Sequence, residues 1–498
     1  MGDEQGQFIL NVRGGARICV PATTDQITPY VLLEQEDWFE DEIRFVRRWL
    51  RPGMRAVDVG ASFGMYTLAM ARAVGSSGRV WAFEPTPGTA DHLQRSLELN
   101  DCGHVELHRA AVSDRDQVLT LAAGASSELN AIVAAGASSG NLIQVQAVTL
   151  DRIAASRGWA GIDFVKLDVE QHEFEAIRGA GAFLAADSPL IMFEVNPQQG
   201  TDFRVLELLA EMGYGFFRLL PGPLVLVPFD QLEPLDPYLL NLFACKADRA
   251  AELAAGGFLV QPGAADAPVP AASAWADYAR AAPYAKDFGA AWPAKPGLLS
   301  RGDVRTYMDG LAAFAHYRDA GLGAATRVAW LIRAHQSFAE ALDTAATLPR
   351  RMSYARTAWE LGWRADASAA LKPALATVMR DGAAAFKEPF LAPSPRYEQL
   401  PAGDRTADWL KCAMIEQYDK LRHRSSIFEG TESLATLEPI RGMAFCSAEV
   451  ERRLQLERIG SGLQSAPEPV PILCQRSEEN LNPQFWSGAK RVVRPGHG

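Results

Sequence analysis

Cysteine is scarce in this chain. Its 498 residues hold six (Cys19, Cys102, Cys245, Cys412, Cys446 and Cys474), scattered and without a C-x-x-C pair. Such spacing argues against a disulfide framework or a zinc site and points to a reducing compartment. Long apolar runs are missing too. No stretch reaches the roughly 18 residues a membrane span needs. The N-terminal MGDEQGQF is acidic without an apolar core, so neither a span nor a signal peptide is expected. Positive charge is in deficit: 49 Lys and Arg stand against 60 Asp and Glu, a net −11. That favours solubility and disfavours an extended nucleic-acid surface, while leaving room for a local basic groove. The expectation is a cytoplasmic protein with no nucleic-acid partner. Also absent is the G-x-G-x-x-G of dinucleotide-binding turns.

What is present changes character near residue 250. The chain is too long for one ordinary core, so two or three domains are expected. Before residue 250, short apolar runs alternate with helical patterns. Strands are predicted at Arg55–Val59, Arg79–Phe83, Val105–Arg109, Asp163–Asp168 and Leu190–Glu194, with amphipathic segments over Gly64–Val74 and Gly88–Asn100. This rhythm predicts an α/β domain over residues 1–250 with a doubly wound, mainly parallel sheet. Asp114–Leu150 interrupts it and reads as an inserted hairpin or loop excursion. Tyr214–Asp230, with its Pro-Gly turn, and NLFACKA from Asn241 read as an antiparallel edge. The Pro/Ala-rich stretch 251–300 reads as a linker. Residues 301–460 carry alanine-rich amphipathic patterns and predict an all-α domain. Within it AWLIRAHQSFAEAL (from Ala329) and AWELGWRADASAAL (from Ala358) hint at degenerate tetratricopeptide-like repeats. Residues 461–498 read as a polar tail.

The chemistry concentrates at strand ends. AVDVGASFGMYTL sets Asp58, Gly60, Ser62 and Gly64 between the first strand and the first helix. Glycine there lets ligand atoms approach the backbone, and the helix start offers unpaired N–H groups. The turn is looser than a pyrophosphate-binding one and suits a ligand bearing a carboxylate and an amine; otherwise it is a plain β–α turn. VWAFEP places Glu84 at the end of the second strand, where an acid can accept both ribose hydroxyls. Together they point to an adenosine-containing ligand, NAD or S-adenosyl-L-methionine. KLDVEQHE brings Asp168, Glu170, His172 and Glu173 to the end of the fourth strand. Carboxylates or an imidazole there can take a proton from a hydroxyl nucleophile, or simply cap the next helix. Glu194 and Asn196, in MFEVNPQQG, either line an acceptor site or end the fifth strand.

AVDVGASFGMYTL, VWAFEPTP, SLELN, VTLDRI, IDFVKLDVEQHEFEAIRGA and PLIMFEV occur in that order. The succession resembles the FkbM-type family of S-adenosylmethionine-dependent methyltransferases, of Rossmann-like fold, over about Ile27–Lys246. The upstream DWFEDEI resembles that family's lead-in segment. The resemblance implies S-adenosyl-L-methionine as cofactor, held by Asp58, Gly60, Ser62 and Gly64, with Glu84 on the ribose. It puts Asp114 near the adenine, and Asp168, Glu170 and His172 at the transferred methyl. No metal is assigned, although related O-methyltransferases raise the question of Mg²⁺. The chain departs from the family in having Gln171 where glycine is common, which bears on the acceptor pocket. The implied activity is O-methylation of a sugar, glycan or related small-molecule acceptor. Two alternatives stand beside it: an NAD-dependent oxidoreductase, and a degenerate cofactor-binding module whose helical domain engages a protein partner. That helical domain is also a candidate for homo-oligomer formation.

Overall fold

The computed structural model describes residues 6–123, 131–132, 141–195, 203–230, 235–261, 263, 265–288, 302–381, 388–428 and 432–487. Eight strands form one sheet: Arg55–Val59 (β1), Arg79–Phe83 (β2), Val105–His108 (β3), Phe164–Leu167 (β4), Leu190–Glu194 (β5), Gly215–Leu220 (β6), Val225–Pro228 (β7) and Asn241–Cys245 (β8). Their order is β7-β6-β8-β5-β4-β1-β2-β3. The five from β3 through β5 run parallel to one another, and β8, β6 and β7 add an antiparallel edge. This is the doubly wound sheet expected. Its central strands are covered on both faces, which is why they read as apolar runs without alternation. Ala56 and Val80 belong to the core on one face, Val57 and Val59 to the core on the other.

Helix Met65–Val74 follows β1 and helix Pro87–Leu99 follows β2. The strand order reverses between β1 and β4, and at such a point a crevice opens outside the carboxyl ends of the strands. The interrupting segment forms Gln117–Ala123, Ala131–Ile132 and Asn141–Val148, which join Ala111–Val112 just before it in a separate sheet.

Two further layers meet this domain. The N-terminal hairpin Gln7–Asn11 and Arg17–Pro21 leads into helices Ile27–Gln35 and Asp41–Trp49. The C-terminal half is helical, with Gly302–Tyr317, Ala324–Thr344, Leu348–Glu360 and Arg364–Asp381 packed each on the next. Helix Thr406–Arg422 lies on the last of these, and Ala448–Gly460 packs on Ile27–Gln35. The stretch read as a linker contains two helices, Ala272–Ala281 and Pro283–Phe288, because Trp275, Tyr284 and Phe288 bury against the helical half. The described part of the polar tail is also packed. Asn482 Oδ1 accepts the Asn11 N–H at 2.8 Å, and Phe485 meets Phe8 edge to face at 5.4 Å. Among the described residues no helix is long and apolar enough to cross a membrane.

Candidate active site

The turn after β1 is shaped by three left-handed residues: Gly60 (φ 78°), Ser62 (φ 50°) and Gly64 (φ 96°). The N–H groups of Gly60 and Ala61 donate to Phe83 O at 3.1 and 2.9 Å, folding the turn over the end of β2. Gly60 is demanded sterically as well as conformationally. A Cβ there would lie 1.7 Å from the backbone oxygen of Asp168, so the β1 turn and the end of β4 touch directly. Glu84 sits under the turn. One carboxylate oxygen accepts the Ser62 N–H at 2.9 Å and the other the Thr86 N–H at 2.8 Å. Burial raises the Glu84 pKa to about 7, against the pull of those donors.

A cavity of about 510 Å³ opens above this corner. Gly60, Ala61, Ser62, Glu84, Ala111 and Val112 line one part of it, and Asp168, Glu170 and Glu194 another. The hydroxyl of Ser62 is buried without a hydrogen-bond partner among the described residues. Each of Asp168, Glu170 and Glu194 has a carboxylate oxygen within 4.8 Å of the others, a donor set that a hard cation can also use. Burial, then repulsion by Asp168, Glu170, Glu173 and Glu40, raises the Glu194 pKa to about 9.

Four expected residues sit elsewhere than expected. Asp58 does not line the cavity: it is fully buried, accepts the Thr67 hydroxyl at 2.5 Å and leaves its other oxygen without a partner among the described residues. Burial raises its pKa, with Lys166 and Thr67 opposing. Its place is beneath the turn, tying helix Met65–Val74 to β1. Gly64 is also outside the lining, and a Cβ there would meet Leu93 at 2.4 Å. Asp114 is turned to Arg178, which outweighs slight burial and holds it below the usual carboxylate range. His172 faces Ser113 Oγ at 3.0 Å and Glu175 at 3.4 Å, away from the cavity lining, and burial lowers its pKa. The strand-end reading captured its position and missed its direction. Asn196 lies outside the described residues.

Other groups belong to the site. Lys166 is almost wholly buried and pairs with Asp168 at 2.8 Å. Burial alone would favour its neutral form, yet Asp168, Asp58 and Glu40 outweigh it and hold the ammonium above its usual range. Glu40 accepts from Tyr66 OH at 2.6 Å and Asn241 Nδ2 at 3.2 Å, joining the N-terminal segment to the sheet edge. Burial, then Asp168, raises the Glu40 pKa. Trp38, Phe39, Tyr238, Arg422, Arg424 and Phe428 complete the wall. Two local signals point to any of these: a lysine inside an otherwise apolar strand and, more weakly, the acidic DWFEDEI that holds Trp38, Phe39 and Glu40.

Residues 58–216 match the family model of the methyltransferase FkbM domain. Over 65 residues the chain is 38% identical to Methyltransferase 1 of Beauveria bassiana, covering 13% of this chain and 26% of that relative. The match thus spans about a quarter of the relative's length. Similar solved structures include a methyltransferase FkbM from Methylobacillus flagellatus, at 17% identity, 42% of this chain, 48% of that chain and a TM-score of 0.29. Another is a SAM-dependent O-methyltransferase from Thermotoga maritima, at 15% identity, 49% of this chain, 94% of that chain and a TM-score of 0.27. The turn, Glu84 and the three carboxylates thus all lie within the stretch that matches the methyltransferase FkbM domain, set between an N-terminal lead-in and a helical C-terminal half.

Proposed function

We propose that this chain transfers a methyl group from S-adenosyl-L-methionine to a hydroxyl of a sugar, glycan or related metabolite. The observation that carries the reading is Glu84, a buried carboxylate fixed by two backbone donors beside a glycine turn, in the cavity where three further carboxylates converge. The residues fit the cofactor: Glu84 would take the ribose hydroxyls, and the unpartnered Ser62 hydroxyl would meet the methionine carboxylate. Ala111 and Val112 offer an apolar wall for the adenine. The cofactor supplies an electrophilic methyl on a cationic sulfur.

The protein's part is alignment and proton removal. Asp168, held by Lys166, orients the acceptor hydroxyl. Glu194 receives its proton, because crowded acids and burial have given that carboxylate a raised affinity for one. With the cofactor held there, the acceptor's new O–C bond would replace the S–C bond, whose electron pair would stay on sulfur, while Glu194 takes up the acceptor proton. Isothermal titration with S-adenosyl-L-methionine and with NAD tests the reading: micromolar binding of the first only supports it, and preference for NAD removes it. Cofactor binding with no methylated product from a broad glycan panel would favour the degenerate-module alternative.

A further inference from the structure

Part of the cavity wall comes from the far end of the chain. Helix Thr406–Arg422 ends there, and the loop after it brings Arg424 and Phe428 to the space that Asp168 and Glu194 line. The loop is locked in place by buried chemistry. Ser426 donates its N–H to Glu34 at 3.0 Å and its hydroxyl to the same oxygen, while Tyr30 OH lies 2.8 Å from Ser426 Oγ. Gln35 Nε2 donates to the backbone oxygen of Arg424. Glu34 in turn pairs with the buried Arg453 at 2.8 Å. Arg364 caps the helix end, donating to Leu421 O at 2.8 Å and to Lys420 O. Arg422 and Arg424 therefore ride on a fixed frame.

Neither is well neutralised. Arg424 is half-buried over Phe39, 6.0 Å from the ring centroid, and forms no ion pair with any described carboxylate. Glu42, Glu40, Asp236 and Asp41 attract it from further off, yet burial outweighs them and loosens its hold on its proton. Arg422 pairs with Glu432 at 2.9 Å, but the two side chains are 36% and 58% exposed, where such a pair contributes little. A half-buried guanidinium without a carboxylate is a preformed seat for a planar or tetrahedral anion.

We propose that the acceptor is an anionic, hydroxylated molecule whose carboxylate or phosphate group is taken by Arg424 with Arg422 beside it, while a hydroxyl reaches Asp168, Glu170 and Glu194. This rests on the methyl-transfer reading above. The two poles set one orientation, since an anion is repelled by the acidic end and drawn to the basic one. Trp38, Phe39 and Tyr238 supply flat faces for a sugar ring. The helical half then selects the acceptor.

The test uses the full chain saturated with S-adenosylhomocysteine and titrated by calorimetry with glucose, glucuronic acid and glucose 6-phosphate. At least one acid should bind about tenfold or more tighter than glucose, and the preference should fall below about threefold in Arg424→Gln. Arg424→Lys should keep part of it, and Arg422→Gln, at the more exposed position, should weaken it if the first variant folds poorly. Which acid is preferred separates carboxylate from phosphate recognition. Equal binding of all three, no binding of either acid, or an undiminished preference in Arg424→Gln would overturn the proposal. Retained S-adenosylhomocysteine binding with no acid preference removes only the anionic acceptor, whereas lost cofactor binding removes both readings.

Discussion

Replacing Glu84 by Gln isolates its charge while preserving its shape. In the wild type both oxygens accept backbone N–H groups, at 2.9 and 2.8 Å, and the carboxylate still faces the cavity with lone pairs to spare. A ribose diol would add two O–H···O⁻ bonds. Hydrogen bonds to a charged group contribute roughly 1.5–3 kcal/mol each net of water's competition, and the neutral amide keeps part of this, so losing the charge should weaken binding by about 1–3 kcal/mol, roughly 5- to 150-fold in Kd. Glu84→Ala should lose more, because it also orphans the Ser62 and Thr86 donors and loosens the turn. A pH series sharpens the test. The Glu84 pKa lies at about 7, and the ionised form is the one the diol prefers. Wild-type affinity should rise as pH increases from 6 to about 8, while Glu84→Gln stays flat. Isothermal titration of S-adenosyl-L-methionine at several pH values reads both effects. Equal affinity of wild type and Glu84→Gln, with the same pH dependence, would refute the placement of the ribose.

Other expectations follow from the same geometry. Gly60→Ala drives a Cβ into the Asp168 carbonyl, so cofactor binding should disappear and the melting temperature fall; an unchanged melting curve would contradict the close β1–β4 contact. Asp168→Asn and Glu194→Gln should lower kcat by about 10²- to 10⁴-fold with cofactor affinity within a few-fold of wild type. In the wild type kcat should rise with pH toward about 9 as Glu194 ionises, and that rise should vanish in Glu194→Gln. His172→Ala should keep kcat within about threefold, since the imidazole faces Ser113 and Glu175; a hundredfold loss would return it to the mechanism. Because the carboxylates are given the acceptor proton, turnover should survive EDTA; loss in EDTA restored by Mg²⁺ would reassign Asp168, Glu170 and Glu194 to a cation.

The parallel strands, the glycine turn and Glu84 were legible because each is signalled within a few neighbouring residues. A buried parallel strand is a continuous apolar run, and a strand-end acid is simply its last letter. Side-chain direction is a different matter. Asp58 and His172 stand at strand ends in the sequence, yet packing turns one under the turn and the other to Ser113. The remaining wall is a product of tertiary contact. Glu40 and Arg424 are far apart along the chain, and no local pattern joins them; they meet because Glu34, Ser426 and Arg453 bury their polar groups against each other. Ala- and Pro-rich composition likewise masked Ala272–Ala281, whose helix depends on burying Trp275.

A crystal structure of the full chain soaked with S-adenosylhomocysteine tests the central claim most directly. The ribose hydroxyls should lie on the Glu84 carboxylate, with the sulfur directed toward Asp168, Glu170 and Glu194. A nucleoside found elsewhere on the protein, or the corner at Gly60 closed against it, would contradict the assignment of this cavity to methyl transfer.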